Sequence, residues 1–162
     1  MSPPLPRWND TYLSPSESLT QLGDWLGSVS PTGSVVTWVP GHDASLGPGY
    51  TVAVIAAETW GLPLVELATR RQPLRSAIAS TFRPTLDQQL ASLHISPPRA
   101  LRGDVVVVDN TIGTGASILA AATALTEAGI SVSSLLAITS PACYSKRRHC
   151  SLAKQPSERI HQ

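Results

Sequence analysis

The feature that most constrains the fold is a run of four valines enclosed by two acids, Asp104-Val-Val-Val-Val-Asp109. β-branched side chains favour extended backbone, and a strand that is apolar on both faces has to be covered on both faces. The run therefore predicts a central strand of a parallel sheet. A turn rich in Gly and Thr follows it, and then an apolar pattern of helical period that stops at Gly129: Ile118, Ala121, Ala122 and Leu125.

Other segments of the chain repeat this order of strand and helix. They are a strand at 34–39, a helix at 50–60, a short strand at 64–67 and a strand at 132–139. The order β-α-β, an insert, and again β-α-β predicts an α/β fold with right-handed crossovers. We therefore expect a central, mostly parallel sheet flanked by helices.

The length of 162 residues favours one folded domain with less regular ends. Residues 1–33 are rich in Pro, Ser and Thr and predict an arm whose one short helix, starting after Ser14, covers an edge of the core. Residues 34–140 form the predicted α/β core, and residues 141–162 a polar tail.

An insert at residues 70–103 interrupts the core. It holds six arginines against one acid, Asp87, and so carries a local charge of about +5 in a chain whose net charge is +1. A long, weakly patterned insert in a compact domain is often functional. A surface excursion with solvated arginines is the alternative.

The charge balance excludes one class of function. With 12 Lys and Arg against 11 Asp and Glu, the chain lacks the strongly basic face of a protein that binds nucleic acid by bulk charge.

The sequence predicts no membrane span and no signal peptide. Two cysteines cannot form a disulfide framework, so we expect a cytoplasmic protein. The spacing of Cys143, His149 and Cys150 is unlike that of zinc ligands and favours free thiols.

The turn after Asp109 is the segment that predicts chemistry. Backbone N–H groups and hydroxyls at a helix N-terminus attract anions, phosphate above all, and ligands of open α/β sheets bind at the carboxyl ends of strands. A P-loop is excluded because no lysine precedes Lys146. The dinucleotide fingerprint fails because Gly113-Thr-Gly115 leads to Ile118 at the third position. A turn that serves only the fold remains an alternative.

At these residues the sequence resembles a known family. Val105-Val-Val-Val-Asp-Asn-Thr-Ile-Gly-Thr-Gly-Ala-Ser117 is similar to the thirteen-residue phosphoribosyl pyrophosphate (PRPP) motif of type I phosphoribosyltransferases. The resemblance is closest to the small ComF-type and amidophosphoribosyltransferase-like members, and it extends more weakly over residues 34–139. It implies a type I phosphoribosyltransferase-like fold in which the insert is the flexible loop over the active site.

The resemblance also implies roles for individual residues. Asp109 would bind ribose hydroxyls and stabilise a cationic ribose, and the catalytic set would be Asp109, Asn110, Arg70 and Arg71, with an arginine clamping pyrophosphate. The PRPP-binding residues would be Asp109, Asn110, Thr111, Ile112, Gly113, Thr114, Gly115, Ala116 and Ser117. The pyrophosphate loop would be Pro40, Gly41, His42, Asp43 and Ala44. Mg²⁺ would arrive bound to PRPP, without an assigned protein ligand. His42 or Asp43 would order it through water, or would serve only the turn and the surface.

Two residues depart from the family pattern. Asn110 stands where the family has a second acid, and Gly113 where it has the first threonine. The implied activity is transfer of the 5-phosphoribosyl group to a nitrogen nucleophile with release of pyrophosphate. The departures leave open a protein that senses PRPP or nucleotides without turnover, and a scaffold that has lost the ligand. Dimers are common in the family, and the sequence does not specify the acceptor.

Overall fold

The computed structural model describes residues 15–74 and 84–139. Within these ranges helices and strands alternate along the chain. The helices are α1 (Pro15–Gly27), α2 (Gly47–Trp60), α3 (Leu86–Ser92) and α4 (Ala116–Glu127). The strands are β1 (Val35–Trp38), β2 (Ala68–Arg70), β3 (Leu93–Ile95), β4 (Val105–Thr111) and β5 (Val132–Thr139). The protein is therefore a mixed α/β protein, as predicted.

The main sheet is parallel and has the strand order β1-β4-β5. The four valines of β4 are fully buried, which confirms the central strand that the sequence predicts. The strand predicted at 64–67 is wrong: only Leu64 forms an isolated parallel bridge, with Val36 on the outer edge of β1. Pro63 precedes it and has no N–H to donate, which limits pairing on that edge.

Helices cover both faces of this sheet. On one face α1 and α2 pack on alternate residues of the strands, with Leu26, Val36, Ala53 and Val106 in the centre of the cluster. On the other face α4 packs on the intervening residues, with Leu67, Val107 and Leu125 among them. Consecutive strand residues point to opposite faces, so a strand buried on both faces needs the unbroken apolar run that β4 has.

The topology contains a switch point between β1 and β4. After β1 the chain passes through α2 to the bridge at Leu64, on one side of β1. After β4 it passes through α4 to β5, on the opposite side of β4. The two connections diverge and leave a crevice at the carboxyl ends of β1 and β4, where open α/β sheets bind their ligands.

The insert contains more regular structure than its weak pattern suggests, and the one or two helical turns indicated by Leu86, Leu90 and Leu93 correspond to α3. Its first residue, Arg70, ends β2, which pairs antiparallel with β3. The helix α3 begins with a capping box formed by Thr85 and Gln88. The predicted tail at 141–162, the start of the arm and residues 75–83 of the insert lie outside the described residues. No helix in the described ranges is long and apolar enough to cross a membrane.

Candidate functional site

Two loops leave the carboxyl ends of neighbouring strands at the switch point. The β1 loop (residues 39–46) follows β1, and the β4 turn (residues 112–115) follows β4. The N–H of Val39 donates to the carbonyl of Val108 at 3.0 Å, so the β1 loop starts against the end of β4. A Cβ at Gly49, in the first turn of α2, would lie 3.3 Å from the Val39 carbonyl oxygen and 3.7 Å from Oδ1 of Asp109. Glycine at this position thus lets α2 approach both strand ends.

Asp109 is a buried carboxylate at the centre of this edge, with 8% of its surface exposed. Its Oδ1 accepts a hydrogen bond from the N–H of Asn110 at 2.8 Å, and the backbone of Thr111 also donates to the carboxylate. Burial raises the pKa of Asp109 to about 6, although these two hydrogen bonds and the positive charge of Arg70 act to lower it. A carboxylate that is buried away from water is stabilised by a ligand that brings a positive charge or hydroxyl donors.

The β4 turn leads directly into the N-terminus of α4. Gly115 is the N-cap residue, with a φ of 84°, and as a glycine it offers the helix no side-chain acceptor. This left-handed conformation explains why glycine occupies position 115. The hydroxyl of Thr114 accepts a hydrogen bond from the N–H of Ala116 at 3.3 Å, and both Gly113 and Thr114 are exposed. The N-terminus of α4, which carries a partial positive charge, is therefore exposed to solvent at this turn.

The remaining residues of the predicted PRPP motif differ in their surroundings. The amide of Asn110 donates to the hydroxyl of Thr111 at 3.2 Å, and both residues are half-buried. Ile112 packs against the apolar cluster under α4, so its side chain contributes to the core. Ala116 and Ser117 lie half-buried in the first turn of α4. Phosphate contacts in this motif would thus involve the backbone of Ile112 rather than its side chain.

The β1 loop is tightly closed by its own hydrogen bonds. The N–H of Gly41 donates to the Ser45 carbonyl at 3.1 Å, and the N–H of Ala44 donates to the Gly41 carbonyl at 3.2 Å. Oδ1 of Asp43 accepts from the N–H of Ser45 at 3.1 Å and from its hydroxyl at 2.6 Å. These bonds lower the pKa of Asp43. The side chain of Asp43 therefore serves the turn, the alternative that the sequence left open.

His42 lies half-buried beside Arg70. Its Nδ1 is buried and has no hydrogen-bond partner in the described part of the chain. Burial lowers the pKa of His42, the positive charge of Arg70 lowers it further, and the carboxylate of Asp43 opposes the change. The carbonyl of His42 accepts a hydrogen bond from the N–H of Leu74 at 2.7 Å, which ties the β1 loop to the start of the insert.

Arg70 lies below the β1 loop and is buried, with 8% of its surface exposed. Its Nε donates to the carbonyls of Pro40, at 3.3 Å, and Gly41, at 3.0 Å, while its terminal nitrogens donate to Ser92 and Gln89. This arrangement differs from the clamp that the sequence suggests, because the guanidinium already donates hydrogen bonds to the loop. Arg71 is exposed, and its role as a clamp stays a prediction.

The structure thus brings the predicted pyrophosphate loop, Asp109 and the β4 turn to one edge, with Arg70 beneath. Sequence reasoning missed Gln89 and Ser92, which hold Arg70, and Gly49, which admits α2 to the site. Besides the leucine spacing, the Thr85-x-x-Gln88 pattern was a further signal for the start of α3. Searches against family models and against curated proteins find no match to this chain.

Proposed function

We propose that the protein binds PRPP with Mg²⁺ and transfers the 5-phosphoribosyl group to a nitrogen nucleophile. The observation that carries the proposal is the buried carboxylate of Asp109 at the switch point, between a closed loop and the N-terminus of α4. The strand order β1-β4-β5, with helices on both faces, is compatible with a type I phosphoribosyltransferase-like fold, which we include in the proposal.

The β4 turn is the proposed site of the 5-phosphate of PRPP. Backbone N–H groups at the start of α4 and the hydroxyls of Thr114 and Ser117 are donors, and the helix dipole favours the dianion. The exposure of Gly113 and Thr114 leaves room for a phosphate to approach. A bound phosphate would take the place of the Thr114 hydroxyl at the N–H of Ala116, where the hydrogen bond is long at 3.3 Å.

Asp109 is the proposed catalytic carboxylate. It accepts hydrogen bonds from ribose hydroxyls and stabilises positive charge on the ribose as the bond between C1 and the pyrophosphate oxygen breaks. Pyrophosphate leaves with the electron pair, the nitrogen nucleophile forms the new bond to C1, and that nitrogen then loses its proton. Charge stabilisation is strongest where water is excluded, and the burial of Asp109 meets this condition.

The β1 loop is the proposed site of pyrophosphate. Mg²⁺ belongs to the substrate and offsets the charge of the leaving group. Arg71, exposed at the start of the insert, is the remaining candidate for a clamp on the pyrophosphate. The acceptor is unspecified, and the cytoplasmic location stays a prediction.

Pyrophosphate release tests the enzymatic activity. Wild-type protein is incubated with PRPP, Mg²⁺ and a panel of bases and amines, beside Asp109→Ala and a control, Asp104→Ala, at the exposed start of the same strand. We expect release by the wild type and the control, and a loss of about 100-fold or more in Asp109→Ala, the usual effect of removing a charge-stabilising group. Equal release by all three proteins would overturn the assignment of Asp109.

A PRPP-sensing protein without turnover is the second candidate. Asn110 favours it, since the amide that replaces the second acid adds no negative charge beside a ribose cation, and its Nδ2 is engaged with Thr111 at 3.2 Å. PRPP binding without pyrophosphate release over the whole panel would select this function. Release that appears only in Asn110→Asp would show that the missing acid had removed catalysis.

A further inference from the structure

Within the described residues, the hydrogen bonds of the buried Arg70 guanidinium go to neutral oxygens. These acceptors are two backbone carbonyls of the β1 loop, the amide of Gln89 and the hydroxyl of Ser92. Asp109 acts on Arg70 electrostatically, through space. With neutral acceptors, and with no carboxylate of residues 15–74 or 84–139 in contact, the buried guanidinium keeps its positive charge effective toward a nearby anion.

The hydrogen bonds of Arg70 also orient the β1 loop. The described residues contain no cis peptide bond, and in a trans peptide the carbonyl and the N–H point in opposite directions. Because the carbonyls of Pro40 and Gly41 face Arg70, the N–H groups of Gly41 and His42 are turned away from it. Gly41 N–H closes the loop on Ser45. The N–H of His42 is thereby directed to the side of the loop that is remote from the guanidinium.

The insert holds the other end of the guanidinium. Gln89 and Ser92 lie on α3 and are almost fully buried, at 2% and 0% exposed surface. The hydroxyl of Ser92 donates to the Gln89 carbonyl at 2.6 Å, and the Ser92 carbonyl accepts from the N–H of Arg71 at 2.8 Å. With α3 packed against α4, the guanidinium cannot turn toward solvent without breaking bonds on both sides.

We infer that Arg70, Gln89 and Ser92 are positioning residues that hold the β1 loop in a pyrophosphate-binding conformation and so link helix α3 of the insert to anion affinity. This inference rests on the proposed function. In this role Arg70 stays beneath the loop, and its planar guanidinium bridges the loop carbonyls and the side chains of α3. Lysine has the same charge but cannot reproduce that bridge.

The first test follows the loop without any ligand. Amide hydrogen exchange over residues 40–46 is compared in the wild type, Gln89→Leu, Gln89→Glu and Arg70→Lys, each first shown to be folded by circular dichroism and cooperative unfolding. A matched control is Gln21→Leu, an exposed glutamine of α1. We expect about tenfold faster exchange in Gln89→Leu and Arg70→Lys, as for loss of a hydrogen bond to a charged group. Gln89→Glu keeps an acceptor for Arg70 and should retain wild-type protection.

The second test measures the affinity for inorganic pyrophosphate with Mg²⁺ in the same proteins by calorimetry. We expect about tenfold weaker binding by Gln89→Leu and Arg70→Lys, and wild-type binding by Gln21→Leu. If Arg70→Lys keeps wild-type affinity and loop protection, only the positive charge at position 70 matters, and the positioning role is overturned. If the wild type binds neither pyrophosphate nor PRPP, the proposed function fails and the link to anion affinity fails with it, while the exchange data still decide whether Arg70 positions the loop.

Discussion

The buried surroundings of Asp109 destabilise the ionised form of its carboxyl group. Its ordinary pKa lies near 4, whereas burial raises the value to about 6 in the folded protein. Between these values the folded state binds more protons than the unfolded state, so stability falls as the pH rises from about 4 to about 6. At neutral pH this difference in pKa lowers the free energy of unfolding by about 3 kcal/mol. A carboxylate retained at such a site is typical of a functional residue.

Asp109→Asn is therefore expected to stabilise the protein at pH 7.5, by about 1–3 kcal/mol, because the amide carries no charge and still offers an oxygen to the neighbouring N–H groups. At pH 4 the gain should vanish. Urea unfolding of wild type and variant at the two pH values measures both effects. Asp104→Asn, at the exposed opposite end of the strand, is the control and should change little. A variant that is less stable than wild type at pH 7.5 would contradict the assigned burial of Asp109.

Thr37 is a second residue whose polar group opposes folding. It lies in β1 with 1% of its surface exposed, and its hydroxyl has no hydrogen-bond partner in the described part of the chain. Thr37→Val replaces this hydroxyl with a methyl group of similar shape. We expect a gain of about 1 kcal/mol in the free energy of unfolding, measured by urea unfolding. Lower stability of the valine variant would mean that the hydroxyl is paired.

Residue-level chemistry was only partly accessible from the sequence. The end of a valine run indicated that Asp109 lies at the carboxyl edge of a strand. Its burial and its raised pKa depend on α2, which approaches through Gly49, and no local pattern gives that contact. In the same way, the sequence showed Arg70 as one arginine of a basic insert, whereas its acceptors lie up to 30 positions away in the chain.

The β1 loop depends on the absence of a side chain at one position. A Cβ at Gly41 would lie 2.9 Å from the Ser45 carbonyl oxygen and 3.0 Å from Oδ1 of Asp43, distances that the closed loop cannot accommodate without moving. Because backbone and carboxylate both border this position, a larger residue would open the loop.

Gly41→Ala is expected to weaken the binding of pyrophosphate with Mg²⁺ by about tenfold or more, while the free energy of unfolding falls by about 1–2 kcal/mol. Calorimetry and urea unfolding check the two effects. Gly23→Ala is the matched control, since a Cβ at this position of α1 meets nothing within 4 Å. Unchanged affinity in Gly41→Ala would separate the β1 loop from pyrophosphate binding.

Elements were predictable where apolar periodicity alone determines them. β1, β4, β5, α2 and α4 follow continuous apolar runs or helical spacing, and the structure contains all five. The strand expected at 64–67 was wrong because pairing depends on a neighbour as well as on composition, and only Leu64 bridges to β1. β2 and β3, of three residues each, are too short to give a pattern and exist through their mutual pairing.

For the whole molecule, the net charge of +1 conceals how the charges are arranged. The basic insert is not uniformly a solvated surface, since Arg70 is buried under the β1 loop while Arg99 and Arg102 are exposed. The positive charge of Arg70, on β2 of the second sheet, lies against the β1 loop and acts on the carboxylate of Asp109 at the carboxyl edge of the main sheet. This arrangement suits a ligand with a cationic centre in its transition state and anionic groups at both ends.

The proposed function requires that Asp109 and the two loops beside it bind PRPP. Calorimetric titration of PRPP with Mg²⁺ at pH 7.5 into the wild type, Asp109→Asn and Asp104→Asn tests it most directly, because the first variant is expected to be more stable than the wild type. Loss of its binding then cannot come from unfolding. We predict saturable binding by the wild type and Asp104→Asn, and affinity at least about tenfold weaker in Asp109→Asn. No binding by the wild type, or equal binding by Asp109→Asn, would contradict the proposal.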